Sequence, residues 1–212
     1  MRVLLIGFDP FPGAPFNPSA MLVRALARRQ RPAFAEIIRT THVLETTYAA
    51  VDRDLPKLFA EAPDIVLMFG LAGRRRHLCI ETRARNALSV LFPDASGYRP
   101  QRSIIVPGGP AAIRGMTPFV RLLEAARRSA VPARLSRDAG RYLCNYAYWR
   151  ALERSQHRRP LVSFAHIPPV AISPRPARRR RRHAPSLHRL IVAAENLLIA
   201  LIAASRPLTA SA

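Results

Sequence analysis

Residues 65–69, IVLMF, are apolar at every position. A strand with one face in water alternates apolar and polar residues, whereas a strand covered on both faces is apolar throughout. The run at 3–6 has the same character, the run at 161–166 is mostly apolar, and segments with helical spacing lie between the three runs. We therefore predict an α/β fold, a three-layer α/β/α sandwich around a largely parallel central sheet.

The other predicted elements keep strands and helices in alternation. Strands are expected at 37–43, 77–83 and 133–136, and helices from Asn17-Pro18-Ser19 onward and at 46–60, 117–129, 143–154 and 187–204. Asn17 is a good N-cap, and Pro18 suits the first helical position, where no backbone N–H is needed. Irregular loops are expected at 92–103 and 168–185. A chain of 212 residues with 49% hydrophobic content suits a single domain over 1–212.

The net charge of +21 arises from 34 basic and 13 acidic residues. A field of this sign attracts nucleic acid, anionic membranes or acidic substrates. Most of the arginines are scattered through all segments, which favours a solvated basic surface over a dedicated binding face. The exception is the arginine run at 178–182, inside a predicted arginine-rich loop over 171–185. Such a run repels itself and favours a solvated loop unless an anion binds it.

The apolar segment at 187–204 could be mistaken for a membrane-spanning helix. Arg189, Glu195 and Asn196 interrupt it. Its apolar residues recur at helical spacing, as on the buried face of an amphipathic helix: Leu187, Leu190, Ala194, Leu197 and Leu201. The pattern therefore favours a helix packed on the domain over one that crosses a membrane.

The two cysteines, Cys79 and Cys144, form neither a CxxC pair nor a spacing typical of metal ligands. We predict no metal site, and a reducing cytoplasm in which a free thiolate survives. Cys144 follows a glycine turn and stands where a helix is predicted to begin. The partial positive charge of a helix N-terminus favours a thiolate, and the N–H groups of the first turn can receive an oxyanion. The alternative is that Cys144 is simply a small buried residue.

Two further residues could assist Cys144. His166 ends an apolar strand, where open α/β sheets place their active sites, and it could serve as the base of a cysteine nucleophile. The alternative is a histidine that packs in the core or a loop. Glu81 lies within the apolar segment at 77–83, where a buried carboxylate needs a partner. That partner is either an imidazole, as in a catalytic triad, or an arginine such as Arg83.

Eight short blocks of the sequence resemble, in order, the motifs of the pyroglutamyl-peptidase I family of cysteine peptidases. The blocks are residues 5–13 (LIGFDPFPG), 16–19 (FNPS), 69–73 (FGLAG), 80–86 (IETRARN), 93–94 (PD), 109–112 (GPAA), 139–146 (AGRYLCNY) and 165–168 (AHIP). The resemblance extends from residue 1 to about residue 170. It implies a soluble, phosphorylase/hydrolase-like α/β/α enzyme, without metal or cofactor, that removes an N-terminal pyroglutamyl residue from peptides.

The resemblance also implies a role for particular residues. Cys144 would be the nucleophile, His166 the base and Glu81 the residue that orients the base. The side chains that would bind the pyroglutamyl ring are Phe8, Phe11, Phe16, Asn17, Leu71, Leu91 and Tyr146. Two of these depart from the family pattern, since Leu71 replaces a glutamine and Leu91 stands where an arginine is usual. Losing one preorganised donor can cost roughly 3–4 kcal/mol of transition-state stabilisation, so activity on pyroglutamyl peptides could be weakened or redirected.

Three functions are therefore kept open. The first is a cysteine exopeptidase specific for N-terminal pyroglutamate, with homo-oligomers possible because family members often form them. The second keeps the triad but has a shifted substrate. The third is a basic protein that uses the same scaffold to bind RNA or another anion. We expect no membrane partner, and the dispersed arginines without an aromatic–basic surface disfavour nucleic acid.

Overall fold

The computed structural model describes residues 1–11, 13–155, 160–170 and 184–206. The strands are β1 (Arg2–Phe8), β2 (Ile38–Leu44), β3 (Ile65–Leu71), β4 (Leu78–Glu81), β5 (Arg83–Arg85), β6 (Ala112–Arg114), β7 (Ala133–Ser136) and β8 (Leu161–Ile167). The helices are α1 (Pro18–Ala27), α2 (Tyr48–Ala60), α3 (Phe119–Arg127), α4 (Leu143–Ser155) and α5 (Leu187–Ser205), with a short 3₁₀ turn at Pro32–Phe34. The predicted loop at 171–185, including the arginine run at 178–182, lies outside the described residues except for Ala184 and Pro185.

The central sheet has the strand order β2-β1-β3-β8-β4-β7. The first four of these strands are mutually parallel, while β4 runs antiparallel to β8 and parallel to β7. The carboxyl ends of β1, β3 and β8 therefore share one edge of the sheet. In the register of β3 and β8, Gly70 stands beside His166 at that edge.

Helices cover both faces of the sheet. On one face, α1, α3 and α5 bury a core that includes Leu22, Leu122 and Leu197. On the other face, α2 and α4 bury a second core that includes Val51 and Trp149. The predicted three-layer α/β/α sandwich with a largely parallel sheet is confirmed, and the continuously apolar segment at 65–69 is the interior of β3, buried from both sides as its composition requires.

Two local predictions bear on the site. Asn17 is the N-cap of α1, and its side chain accepts a hydrogen bond from Ser19 N–H at 3.1 Å, as the Asn-Pro-Ser sequence predicts. The strand predicted at 77–83 is confirmed for Leu78–Glu81 only, because the chain leaves the central sheet at Thr82. Thr82 bonds the Ser136 carbonyl through both its N–H and its hydroxyl, and the chain then continues as β5, which pairs with β6.

By length and composition alone, α5 could cross a membrane, with a mean hydropathy of 1.7 over its most apolar window. In the fold it packs on α1 and α3, and Leu190, Ala194, Leu197 and Leu201 are buried in the shared core. Glu195, also on α5, is buried and paired with Arg29 and Arg31. The prediction of a packed C-terminal helix is confirmed.

Candidate active site

Cys144, His166 and Glu81 meet at one edge of the sheet. Cys144 lies in the first turn of α4, His166 near the end of β8, and Glu81 at the end of β4. His166 Nδ1 lies 2.8 Å from Glu81 Oε1, and the imidazole and the Cys144 sulfur line the same pocket and interact electrostatically. Because Nδ1 is bonded to Glu81, Nε2 is the ring nitrogen that is left to interact with the sulfur. These residues form a contact chain, Cys144–His166–Glu81, that we call the triad.

Gly70 makes room for the sulfur. A Cβ atom at this position would lie 2.7 Å from Cys144 Sγ and 2.9 Å from Phe164 Cζ. Both distances are far below van der Waals contact, so any side chain here would push the sulfur out of place. The glycine of the FGLAG block thus lets the start of α4 approach the ends of β3 and β8.

Asn145 fixes the start of α4. Its Oδ1 accepts from Arg85 N–H at 2.8 Å, and its Nδ2 donates to the carbonyls of Arg85 at 2.8 Å and Ala87 at 3.0 Å. The Tyr146 N–H donates to the Tyr142 carbonyl at 3.0 Å. Earlier N–H groups in a first helical turn have no intrahelical acceptor. Those of Leu143 and Cys144 are therefore available to an oxyanion that forms beside the sulfur.

The charges of the triad reinforce one another. Burial opposes protonation of His166, but its hydrogen bond to Cys144 and the negative charges of Cys144 and Glu81 outweigh burial and raise the pKa of His166 to about 9. Burial also opposes ionisation of Glu81, yet hydrogen bonding and charge from His166 and Arg75 lower the pKa of this carboxyl. The arrangement stabilises an imidazolium between a sulfur and a carboxylate, which is the state in which a cysteine is nucleophilic.

Arg75 is the residue that sequence reasoning missed. Its Nη1 donates to Glu81 Oε1 at 2.6 Å, and its Nη2 donates to the Asp138 carbonyl. Glu81 therefore has both partners that the sequence left as alternatives, an imidazole and an arginine. The arginine is not Arg83, whose Nε donates to the Arg137 carbonyl instead. The signal was hidden because Arg75 stands between Arg74 and Arg76, and nothing in the sequence separates the three.

Replacing Arg75 by glutamine removes a charge-assisted hydrogen bond from Glu81. We expect kcat to fall roughly tenfold or more with little change in KM, because Glu81 would hold the imidazole less firmly while the substrate pocket stays intact. The acid limb of the kcat/KM profile should move to higher pH, because Arg75 lowers the pKa of Glu81. Lysine at this position should restore part of the activity. Arg83→Gln is the matched control, and equal losses in both variants would contradict the positioning role.

A small pocket opens directly beside the triad. It has a volume of about 140 Å³, below the range for drug-sized ligands, so it suits one small ring. Its lining residues are Phe8, Phe11, Asn17, Thr46, Leu71, Ala139, Tyr142, Leu143, Cys144 and His166. The rings of Phe11 and Tyr142 lie 6.0 Å apart, and Phe8 packs on Phe164 at 6.2 Å. The pocket is therefore mainly aromatic and apolar, with the sulfur and imidazole on one wall.

The predicted pocket residues divide into two groups. Phe8, Phe11, Asn17 and Leu71 line the pocket, although the Asn17 amide already caps α1. The other three lie elsewhere. Tyr146 is buried against α2 and donates its hydroxyl to Asp52 at 2.8 Å, Phe16 lines a neighbouring cleft, and Leu91 is 72% exposed on a loop. The positions of these three side chains depend on tertiary packing, which the spacing of the motifs in the sequence does not reveal.

Metal chemistry has no ligand set in the described ranges. No group of three or more histidine, cysteine, aspartate or glutamate side chains there could hold an ion. Both cysteines are free, Cys79 buried and Cys144 partly accessible. Cys144 is thus the only cysteine in the described part of the chain that a substrate or reagent can reach directly.

The sequence profile of the pyroglutamyl peptidase family matches residues 1–206. A pyrrolidone-carboxylate peptidase from Thermococcus kodakarensis is 34% identical over 171 residues, which cover 79% of this chain and 81% of the relative. Pyrrolidone-carboxylate peptidase 1 of Ralstonia nicotianae is 36% identical over 169 residues, covering 78% and 77%.

Solved structures are similar over nearly the full length. The crystal structure of Bacillus amyloliquefaciens pyroglutamyl peptidase I superimposes with a TM-score of 0.83 at 27% identity, covering 98% of this chain and 99% of that chain. A mutant pyrrolidone carboxyl peptidase from Pyrococcus furiosus gives a TM-score of 0.84 at 25% identity, covering 97% and 100%. The sheet order and helical layers described above are therefore those of a known peptidase fold.

Proposed function

The chain belongs to the pyroglutamyl peptidase family, and on that premise we propose that it hydrolyses the bond after an N-terminal pyroglutamyl residue through Cys144, His166 and Glu81. Members of the family are cysteine peptidases that remove this residue. One observation carries the assignment of the site, namely that the contact chain from Cys144 through His166 to Glu81 opens onto the small apolar pocket.

The first half of the reaction forms a thioester. The Cys144 thiolate attacks the carbonyl carbon of the pyroglutamyl residue, and the carbonyl oxygen becomes an oxyanion near the first-turn N–H groups of α4. His166 then gives its Nε2 proton to the leaving nitrogen, so the peptide departs as a neutral amine. Glu81 holds Nδ1 and stabilises the imidazolium until that transfer.

The second half restores the enzyme. The now neutral His166 takes a proton from a water molecule, whose oxygen attacks the thioester carbonyl. The C–S bond breaks, free pyroglutamate leaves, and the proton on His166 re-forms the imidazolium beside the Cys144 thiolate. No oxidant or metal takes part in this sequence, because every step moves only protons and electron pairs among sulfur, imidazole, water and substrate.

Specificity would come from the pocket. The flat lactam ring carries no charge, so aromatic walls such as Phe8, Phe11 and Tyr142 can cover it without a charged clamp. Leu71 also contacts the pocket. Because leucine lacks the amide of the family glutamine, only its main chain can hydrogen-bond the ring. Leu91, exposed on its loop, is not part of the proposed binding set.

The direct test is hydrolysis of the aminomethylcoumarin amide of pyroglutamate by purified protein. We expect release of the fluorophore, and no release from the matching amides of proline, which lacks the lactam carbonyl, and glutamate, which is open and charged. Inhibition by free pyrrolidone should be competitive. Hydrolysis of the proline amide at a rate similar to that of the pyroglutamyl amide would favour the shifted-substrate alternative. Absence of turnover with all three amides would contradict the assignment.

The pH profile tests the protonation state. His166 must be protonated to serve the leaving nitrogen, so kcat/KM should fall as pH rises through about 9, the pKa of this imidazole. The Glu81 carboxylate raises that pKa, so Glu81→Gln should lower it and move the alkaline limb to lower pH, together with a loss of kcat. Glu124→Gln, an exposed carboxylate on α3, is the charge-matched control. An alkaline limb that stays in place in Glu81→Gln would contradict the triad.

Several expectations from the sequence stay predictions. They are a single peptidase domain over 1–212, a cytoplasmic location and possible homo-oligomers. The anion-binding alternative would gain support if polyanions retained the protein at physiological salt and blocked peptidase activity together.

A further inference from the structure

A second, larger cleft adjoins the pyroglutamyl pocket. Its volume is about 660 Å³, within the range of clefts that bind drug-sized ligands. Leu71 lines both cavities, so they adjoin at the end of β3. One wall of the cleft is formed by Phe16 and its neighbours, and another by Pro168, Pro169 and Val170. The last three residues follow His166 almost directly in the chain.

This placement assigns the cleft to the leaving peptide. His166 must deliver its proton to the leaving nitrogen, so the peptide beyond that nitrogen begins at the imidazole. The chain that continues from His166 forms a wall of the cleft, and the ring pocket lies beyond Leu71 on the other side. A peptide whose first residue fills the ring pocket therefore extends into the larger cleft.

A third wall carries an unbalanced positive charge. It consists of Arg74, Arg75 and Arg76. Arg75 is paired with Glu81. Arg74 and Arg76 are exposed, and no carboxylate in the described part of the chain lies within 4.0 Å of either. All thirteen acidic side chains of the protein lie in that part, so none remains to neutralise this wall.

We propose that Arg74 and Arg76 make the enzyme prefer pyroglutamyl peptides with an acidic side chain among the first three residues after the pyroglutamyl group. This inference rests on the proposed function and adds a substrate class to it. Guanidinium groups are planar forks that match a carboxylate with two hydrogen bonds. An arginine pair at the rim of a cleft also steers anionic ligands, an effect that salt weakens.

The test uses pairs of amidated tetrapeptides that begin with pyroglutamate. Each pair carries glutamate or glutamine at one of the following three positions and alanine elsewhere, and release of pyroglutamate is measured. We expect kcat/KM to be about three- to tenfold higher for glutamate than for glutamine in at least one pair at low ionic strength. The preference should shrink as salt is raised, because both arginines are exposed.

The arginine double variant identifies the source of the preference. In Arg74→Gln/Arg76→Gln, the preference for glutamate should disappear, because kcat/KM for each glutamate peptide should fall to that of its glutamine partner measured on the same variant. The control Arg24→Gln/Arg28→Gln removes the same charge from exposed positions in the last turn and at the C-cap of α1, about 10 Å and 16 Å along that helix from Asn17. The control should keep the preference.

Each contrary outcome has a distinct meaning. Equal cleavage of glutamate and glutamine peptides by wild type at low salt would overturn the acidic preference and leave the proposed function intact. Cleavage of neither peptide would overturn both. If the control Arg24→Gln/Arg28→Gln also lost the preference for glutamate, the preference would arise from net charge. That result would overturn the role of Arg74 and Arg76. Strong inhibition of wild type, but not of the Arg74→Gln/Arg76→Gln variant, by a short single-stranded RNA at physiological salt would assign the cleft to a polynucleotide instead.

Discussion

Replacing Cys144 by alanine is expected to lower kcat on the pyroglutamyl coumarin amide by at least about 10⁴-fold. The sulfur is the atom that bonds to the substrate carbonyl, and nothing else in the triad can form that bond. His166 and Glu81 would remain in place as an imidazole–carboxylate pair without a nucleophile. The variant should still bind free pyrrolidone, because the aromatic walls of the pocket are unchanged.

The control for this variant is Cys79→Ala. Cys79 is fully buried in β4 and is the only other cysteine. Its replacement should lower the free energy of unfolding by about 1 kcal/mol and leave kcat within a few-fold of wild type. Comparable kcat for Cys144→Ala and wild type, measured on preparations free of contaminating peptidase, would remove Cys144 from the mechanism.

Replacing Gly70 by alanine is expected to lower kcat/KM about 10²-fold, although every triad residue stays unchanged in sequence. The added Cβ would lie 2.7 Å from Cys144 Sγ and 2.9 Å from Phe164 Cζ. Phe164 cannot yield easily, because it is fully buried and its ring packs on Phe8, Tyr148 and His166. The sulfur must therefore move. A misplacement of about 1 Å at a reacting atom can lower the rate by about 10²-fold. The same crowding should destabilise the fold by about 1–3 kcal/mol.

The control variant Gly73→Ala distinguishes crowding of the Cys144 sulfur from the general effect of replacing a glycine in this segment. Gly73 lies three residues later, in the loop that follows β3, and a Cβ there would meet no atom within 4 Å. This variant should match wild type in stability and in activity on the coumarin amide. The rate of Cys144 alkylation gives a second readout, which should fall in Gly70→Ala only. Full activity in a folded Gly70→Ala variant would show that the sulfur does not need its present position.

The layered fold was predictable because buried parallel strands leave a strong pattern. The apolar segment at 65–69 and the run ending at His166 have the composition that is typical of strands covered on both faces. The N-terminal turn of α4 was equally visible, since Gly140 precedes a helical pattern that begins beside Cys144. Local sequence determined each of these elements, so one sequence was enough to place them.

Contacts between distant segments were predictable only through the family resemblance. Glu81 and His166 are 85 positions apart, and no local pattern distinguishes an imidazole partner from an arginine. Arg75 was hidden between two other arginines, although only its side chain reaches Glu81. The burial of Tyr146 depends on the packing of α2 against α4, and the exposure of Leu91 depends on the path of its loop. The cleft beyond Leu71 could not be predicted at all, because four separate segments form its walls.

Alkylation of the wild-type protein tests the central claim, that the Cys144 thiol is the nucleophile, most directly. Protein is treated with iodoacetamide, and residual turnover of the pyroglutamyl coumarin amide is compared with the labelled fraction of each cysteine by peptide mass spectrometry. We expect activity to fall in proportion to labelling of Cys144, buried Cys79 to stay unlabelled while the protein is folded, and pyrrolidone to slow both the labelling and the loss of activity. Protein that still turns over substrate with Cys144 fully alkylated would contradict the role of Cys144 as nucleophile.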